Sequence, residues 1–329
     1  MQEYDIVVVG GGPAGLAAAV KAKNEGADSI LVLERENQLG GMLNQCIHSG
    51  YGLGIFNEEL TGPEYAQRFI DELIKLNIEY KLDTMVLDFS SDKLLTAVND
   101  KEGIIQIRAK AVILATGCRE KPRGAISIPG SRIAGIYTAG TVQKFINLEG
   151  YLPGKEVVVL GSGDIALMMA RRMTIEGANV KAVIGIMPCP EGSEKNVVKC
   201  LDDFNIPLKL SYTVINIKGK ERVEGVTIAE VDKNKVPIEG TQEYIECNTL
   251  LLSVGLFPDN QLAVKAGINV LSSTRGPEVD EDMKTNIQGV YACGNILYVH
   301  DMIEHITEES YRAGKNAAEY VKKISKRSL

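Results

Sequence analysis

Residues 5–34 read DIVVVGGGPAGLAAAVKAKNEGADSILVLE, and residues 156–185 read EVVVLGSGDIALMMARRMTIEGANVKAVIG. The two stretches superimpose without a gap at a constant offset of 151 residues. Gly10, Gly12 and Gly15 fall on Gly161, Gly163 and Ala166, and Glu25-Gly26-Ala27 falls on Glu176-Gly177-Ala178. Each copy opens on an apolar, β-branched run (Ile6 to Val9; Val157 to Leu160), which predicts a buried strand. An Ala-, Leu- and Met-rich stretch predicts a helix, Gly26 or Gly177 ends it, and a second apolar strand follows. The glycines fall on the strand-to-helix turn, where they have a physical meaning. The first permits the tight turn and the second lets a pyrophosphate approach the backbone. The third position, Gly or Ala, lets helix and strand pack closely. The helix N-terminus adds unpaired N–H groups and a positive dipole end. One such turn is a weak signal; two in matching βαβ context imply two dinucleotide sites.

The copies differ at the end of the second strand. Glu34 lies 19 residues after Gly15, and Arg35 follows it. A carboxylate there accepts both hydroxyl protons of an adenosine ribose. The second copy has Gly185 in that place, and no Arg or Lys lies between Ala182 and Pro190 to take a 2′-phosphate. The first site is complete for a dinucleotide. The second keeps its phosphate turn without its ribose acid, which leaves NADH, NADPH or an idle site open, with a nicotinamide cofactor favoured.

The chain has 329 residues, 33 of them glycine, and a net charge of −7. That length suggests about two domains, the glycines suit many tight turns, and the acidic balance argues against nucleic acid. The first residues run straight into a strand with no basic leader, and no apolar run reaches the ~18 residues of a spanning helix. A cytoplasmic protein with no membrane insertion is expected. The basic tail, Lys322, Lys323, Lys326 and Arg327, reads as a solvated helix end. Cysteines at 46, 118, 189, 200, 247 and 293 form no Cys-x-x-Cys and none lies at a zinc-like spacing from His, so no metal is expected.

Four further segments resemble those of the pyridine nucleotide-disulfide oxidoreductase superfamily, at the spacing of its thioredoxin-reductase size class. Leu39-Gly40-Gly41 follows Glu34 closely. Val112 to Gly117 (VILATG) is similar to the family's Ala-Thr-Gly strand and turn, and Thr249 to Gly255 (TLLLSVG), with Phe257-Pro258 after it, to the counterpart in the nucleotide domain. Gly289 to Asn295 (GVYACGN) resembles the segment that holds the flavin ribitol, with Asn295 where most relatives have Asp. The resemblance implies an α/β fold of two Rossmann-like, three-layer ββα dinucleotide-binding domains, the second inserted in the first. Residues 1–118 and 251–329 would form a discontinuous FAD-binding domain and residues 119–250 an NAD(P)H-binding domain. Hinges are expected near Ile128-Pro129-Gly130 and from Gly255 to Pro258. The long dimerisation domain of the glutathione-reductase class has no room and is not expected.

FAD is then expected on Gly10, Gly12, Pro13, Ala14 and Gly15, with Glu34, Arg35 and Gly41 beside them and Thr116, Gly117, Gly294 and Asn295 completing the site. The Asn295 amide oxygen is expected to accept from a ribitol hydroxyl. NADH or NADPH is expected on Gly161, Gly163, Asp164 and Ala166.

Thioredoxin reductases carry Cys-x-x-Cys shortly before the second glycine turn, where residues 135–163 have no cysteine. Glutathione-reductase relatives carry Cys-x4-Cys after the Gly-Gly pair, and that spacing meets Leu43 and His48. Disulfide reduction by a built-in dithiol is not expected. A closer resemblance is to FAD subunits of opine oxidase, hydrogen cyanide synthase and amine or proline dehydrogenase assemblies, and to companions of anaerobic glycerol-3-phosphate dehydrogenases. Residues 40–56, 115–124, 136–147 and 294–301 carry it. It implies an NAD(P)H-linked flavin that exchanges electrons with a partner dehydrogenase subunit or acceptor protein, in a homo- or hetero-oligomer. The reaction is hydride transfer between nicotinamide and flavin N5. A stand-alone NAD(P)H oxidase using oxygen is one rival; a non-catalytic electron-transfer or assembly subunit with an empty second site is another.

By the same resemblance His48 and His300 pass near the flavin and are the candidate catalytic residues, as hydrogen-bond donors or proton carriers. A structural role is equally open for both and is expected for His305. A helix opening at Asp301 and Glu304, which have capping-box spacing, is expected to point its N-terminus at the flavin and to run through Tyr320. Cys46 and Cys293 read as packing residues. Arg119, Lys121 and Arg123 read equally as steering charges for an anion and as a solvated loop. Pro188-Cys189-Pro190 reads as a loop beside the expected adenosine site.

Overall fold

A computed structural model of the chain describes residues 1–327. Ser328 and Leu329, at the end of the expected first domain, lie outside the described residues, as does the Arg327 side chain of the basic tail. The chain divides into two compact units, Met1–Arg119 with Leu256–Leu329, and Glu120–Gly255.

In the first unit β1 (Gln2–Val9), α1 (Pro13–Asn24) and β2 (Ile30–Leu33) form a βαβ motif. β1 pairs in parallel with β2 on one side and with the long strand Gly103–Leu114 on the other. Glu79–Lys81 and Val290–Ala292 extend the parallel set. The hairpin of Met85–Phe89 and Leu94–Asn99 runs antiparallel to the first half of the long strand. That strand therefore joins the two parts of one mixed sheet, pairing in parallel towards its C-terminal end and antiparallel towards its N-terminal end. Ile6 to Val9 and Ala111 to Leu114 are buried, and burial on both faces explains their unbroken apolar sequence.

The helical layer is built on small residues. α1 packs along the C-terminal helix Ile303–Arg327, and both carry buried alanines, Ala17, Ala18 and Ala22 facing the layer with Ala313, Ala317 and Ala318. A Cβ on Gly314 would overlap the Ala18 carbonyl oxygen, so glycine sets how closely the two backbones approach. The helix begins at Ile303, one residue later than a cap at Asp301 implies, and continues past Tyr320.

The second unit repeats the motif with β3 (Glu156–Leu160), α2 (Asp164–Ile175) and β4 (Asn179–Gly185). Its parallel sheet runs Ile136–Thr138, Thr249–Leu252, β3, β4, Leu208–Leu210. Val157 and Val159 join the helical core with Leu167 and Met173. Val158 and Leu160 join the opposite core with Ile217, Val226 and Ile228 of an antiparallel three-stranded sheet. Alternate residues of one strand thus serve two cores. Helices, parallel sheet and antiparallel sheet make the three layers.

Two sequence expectations need correction. Ile128-Pro129-Gly130 is not a hinge: Ile128 is in a core of the second unit. The Ile217 N–H donates to the Pro129 carbonyl at 3.1 Å, and the Ser131 N–H to the Ile217 carbonyl at 3.0 Å. Arg123 donates to the carbonyls of Ile128 and Gly130, both at 2.9 Å. A boundary at 251 would also cut the strand Thr249–Leu252 in two. That strand pairs with β3 along its whole length and with Ile136–Thr138, so the division falls at Leu256. Among the described residues no helix is long and apolar enough to cross a membrane.

Candidate dinucleotide sites

The two glycine turns share one backbone geometry. Gly10 and Gly161 have φ of +110° and +121°, a region that L side chains rarely adopt. A Cβ would overlap the carbonyl oxygen of Ala115 at the first and of Ser253 at the second. Gly12 and Gly163 precede α1 and α2 in extended conformation, and neither helix start has a side-chain cap. A Cβ on Gly163 would meet nothing within 4 Å, and one on Gly12 would meet only the Gly41 Cα at 3.9 Å. Each turn is thus an uncapped helix N-terminus with open space at its second glycine, which suits a pyrophosphate. The third position separates them: a Cβ on Gly15 would overlap the Gly10 carbonyl oxygen, while the second turn accommodates Ala166. Pro13 occupies the first helical turn of α1. Ala14 packs against Gly294, where a Cβ would lie 2.7 Å from the Ala14 Cβ.

Around the first turn, the Glu34 carboxylate is buried. Its Oε2 accepts from the Gly11 N–H at 2.7 Å and its Oε1 from the Glu36 N–H at 2.8 Å. Each oxygen keeps a lone pair for a ribose hydroxyl. The Gly40 N–H donates to the Gly11 carbonyl at 2.9 Å, and a Cβ on Gly41 would lie 2.9 Å from the Gly12 Cα. The 39–41 loop therefore folds back onto the turn. The exposed Arg35 guanidinium lies 3.8 Å from the Asp259 carboxylate, which Arg119 meets at 3.0 Å. The Thr116 hydroxyl donates to the Asp259 carbonyl at 2.7 Å, and the Gly117 carbonyl accepts from the Asp259 N–H at 2.9 Å.

Asn295 is oriented against expectation. Its Oδ1 accepts from the His300 backbone N–H at 3.1 Å and faces His300 Nδ1 at 3.0 Å. The backbone donor fixes which end of the amide points inward, so Nδ1 carries a proton and the oxygen is occupied. The Nδ2 amide, a donor, lies 3.8 Å from Cys118 Sγ. The His300 side chain is 1% exposed, with Nε2 3.0 Å from Glu309 Oε1. That approach is a close contact without a hydrogen bond. Tyr298 stacks on the imidazole with centroids 4.0 Å apart and donates to Glu309 Oε1 at 3.2 Å. Glu309 Oε2 accepts from the Gly294 N–H at 3.3 Å. One buried carboxylate on the C-terminal helix therefore ties down the 294–300 segment, a role that nothing in the spacing of these residues announces.

His48 belongs to a different network. It is exposed, with Nδ1 3.0 Å from the Ser49 carbonyl and Nε2 3.2 Å from the Tyr51 hydroxyl. Burial, and then the Cys46 thiol, push the Tyr51 phenol far above its ordinary value. A cavity of about 290 Å³ beside Tyr51 is lined by Gly50, Leu53 and Gly54 together with residues 301–304, so the His48 segment does approach the segment that follows His300. His305 is exposed on the C-terminal helix.

Around the second turn, a Cβ on Gly185 would already lie 2.8 Å from Ser162 Oγ and 3.0 Å from Leu210 Cδ2. Asp164 Oδ1 accepts from the Ser193 N–H and from Asn196 Nδ2, both at 2.8 Å, and so anchors the following loop. The Gly192 N–H donates to the Ser162 carbonyl at 2.8 Å, as Gly40 does to Gly11. The offset of 151 carries Gly40 onto Glu191, so the second copy makes this bond one residue further along the chain. Burial pushes the Cys293 thiol up to about 12 and the Cys247 thiol up to about 11. Among the described residues no group of His, Cys, Asp and Glu is placed to hold a metal ion.

Comparison with known proteins agrees with this geometry. An opine oxidase subunit of Agrobacterium tumefaciens is 24% identical over 89% of this chain and 61% of its own length. The chain thus spans about three fifths of that relative. Thioredoxin reductase of Listeria monocytogenes is 23% identical over 98% of this chain and 95% of its own. The crystal structure of T. acidophilum thioredoxin reductase superposes with a TM-score of 0.79 at 24% identity, covering 98% of this chain and all of that one, and so shares the fold. The family model for pyridine nucleotide-disulphide oxidoreductases matches residues 4–318. The chain belongs to this family of FAD-dependent oxidoreductases, whose second cofactor is NADH or NADPH.

Proposed function

We propose that the first unit holds FAD, the second a nicotinamide dinucleotide, and that the flavin exchanges electrons with a partner subunit or acceptor protein. The carrying observation is two open, uncapped glycine turns in a chain with no Cys-x-x-Cys and no Cys-x4-Cys at the family's positions. The opine oxidase relative is by its name one part of an assembly, which supports a partner. Bound together, the two cofactors supply hydride transfer between nicotinamide and flavin. The chain's own part is to bind and orient. α1 and α2 offer their N-termini to pyrophosphates, Glu34 takes ribose hydroxyls, and Asn295 offers its amide N–H groups. Glu309 and His300 hold Asn295 in that orientation, and the His300 Nδ1 proton stays between the ring and Oδ1.

The test is an anaerobic titration of the FAD-loaded chain, following the oxidised flavin band with NADH and then NADPH. Bleaching by either is expected. A flavin that dithionite reduces and neither nucleotide does would overturn the nicotinamide half of the proposal. Gly163→Val provides the control: its extended backbone tolerates the side chain, which would fill the open space at the turn. The variant is expected to keep its melting temperature and to raise the dissociation constant for the nucleotide by ~10-fold or more, about 1.4 kcal/mol.

A further inference from the structure

We infer that the second site selects NADH over NADPH, and that Glu191 supplies the ribose carboxylate that Gly185 lacks. The inference rests on the second unit being a nicotinamide site. Its ground is a structural equivalence between the two repeats. Ser162 occupies the place of Gly11 in the repeat. In the first site Glu34 Oε2 reaches the backbone of Gly11. In the second, Glu191 Oε2 lies 3.5 Å from Ser162 Oγ, and the Glu191 N–H donates to the same Oγ at 3.3 Å. A carboxylate therefore reaches the middle residue of Gly-x-Gly in both units, its backbone N–H in the first and its side-chain hydroxyl in the second. It comes from the strand end in one and from the returning loop in the other.

The loop is held there by independent contacts. The Gly192 N–H donates to the Ser162 carbonyl at 2.8 Å, and the Ser193 N–H to Asp164 at 2.8 Å. A Cβ on Gly192 would come within 2.7 Å of Leu167 and 2.9 Å of Asp164. The Glu191 side chain is otherwise exposed, so its oxygens keep lone pairs for the 2′- and 3′-hydroxyls of an adenosine ribose. The same carboxylate, with Asp164 beside it, opposes the added charge of a 2′-phosphate. Residues 183–193 contain no Arg or Lys. The nearest cations along the chain are Lys181 on β4, which pairs with Glu156 at 2.7 Å, and Lys195 and Lys199 on the helix Glu194–Cys200.

Calorimetric titration of the FAD-loaded chain with NAD⁺ and with NADP⁺ tests this without turnover. Wild type is expected to bind NAD⁺ at least tenfold more tightly. Glu191→Gln and Glu191→Ala, at an exposed position, are expected to keep the melting temperature and bring the two affinities to within about threefold. Equal or tighter binding of NADP⁺ by wild type would assign the ribose pocket to Lys195 or Lys199 and overturn the inference. An unchanged preference in both variants would overturn the role of Glu191. If wild type binds neither nucleotide while its flavin is intact, the nicotinamide site itself falls, an outcome distinct from the other two.

Discussion

At Asn295 the orientation of a single amide is set by its neighbours. With Oδ1 taken up by His300, only N–H donors point outward, and that orientation depends on Glu309, fourteen residues along the chain on another element. Glu309→Ala strips the partner from the Gly294 N–H, the Tyr298 hydroxyl and His300 together. Of these the Gly294 N–H is the buried hydrogen bond lost, and a buried polar group left alone costs about 1–3 kcal/mol. The variant is expected to melt several degrees lower and to bind FAD at least tenfold more weakly, read by flavin fluorescence on dilution. An unchanged melt with unchanged FAD affinity would remove Glu309 from the site. The third glycine position offers a paired case. Gly15→Ala is expected to lose FAD and stability because its Cβ overlaps the Gly10 carbonyl, while Ala166→Gly costs only the ~1 kcal/mol of a helical glycine. Glu34 and the glycines were legible in sequence because βαβ geometry fixes their spacing locally. The turning of Asn295 was not, since its donors come from a segment whose path is set by tertiary contacts.

Among the elements, the pairing of α1 with the C-terminal helix rests on Gly314 and a layer of alanines. Gly314→Val forces the helix away from the Ala18 carbonyl. Overpacking of this kind costs about 1–3 kcal/mol. A lower melting temperature is expected, with FAD weakened because the same helix carries Glu309. Gly314→Val with wild-type stability would show that the crossing has slack. The misread hinge and boundary belong to this scale. Gly130 looks like a flexible joint in sequence, yet its φ of +104° lets the chain lie against Ile217. The Thr249 to Gly255 segment was legible as the nucleotide domain's counterpart of the Ala-Thr-Gly strand, but where that strand ends and the chain returns to the other unit was not. Strand ownership is decided by partners far away along the chain, whereas the βαβ units reveal themselves within thirty residues.

For the molecule as a whole, each unit buries a thiol: Cys293 in the first, pushed up to about 12, and Cys247 in the second, pushed up to about 11. Burial excludes the thiolate, so the folded state keeps its proton where the unfolded chain has released it. The stabilisation is complete below the ordinary thiol value of 9.0 and is lost as pH rises through 11 to 12. The melting temperature is expected to hold up to about pH 9 and then fall. Cys293→Ala should flatten that decline for the first unit and Cys247→Ala for the second. A decline of the same slope in the double variant would place its origin elsewhere.

The crowding at Gly185 has one more implication, for how such a site can be rebuilt. Because Ser162 already fills the space a side chain at 185 would need, restoring an acid there requires first shrinking Ser162 to glycine. That change would also remove the hydroxyl that Glu191 leans on. The two solutions for gripping a ribose are mutually exclusive, so any stepwise route between them passes through a protein that grips it poorly. Replacing both positions at once is the practical path for an engineer.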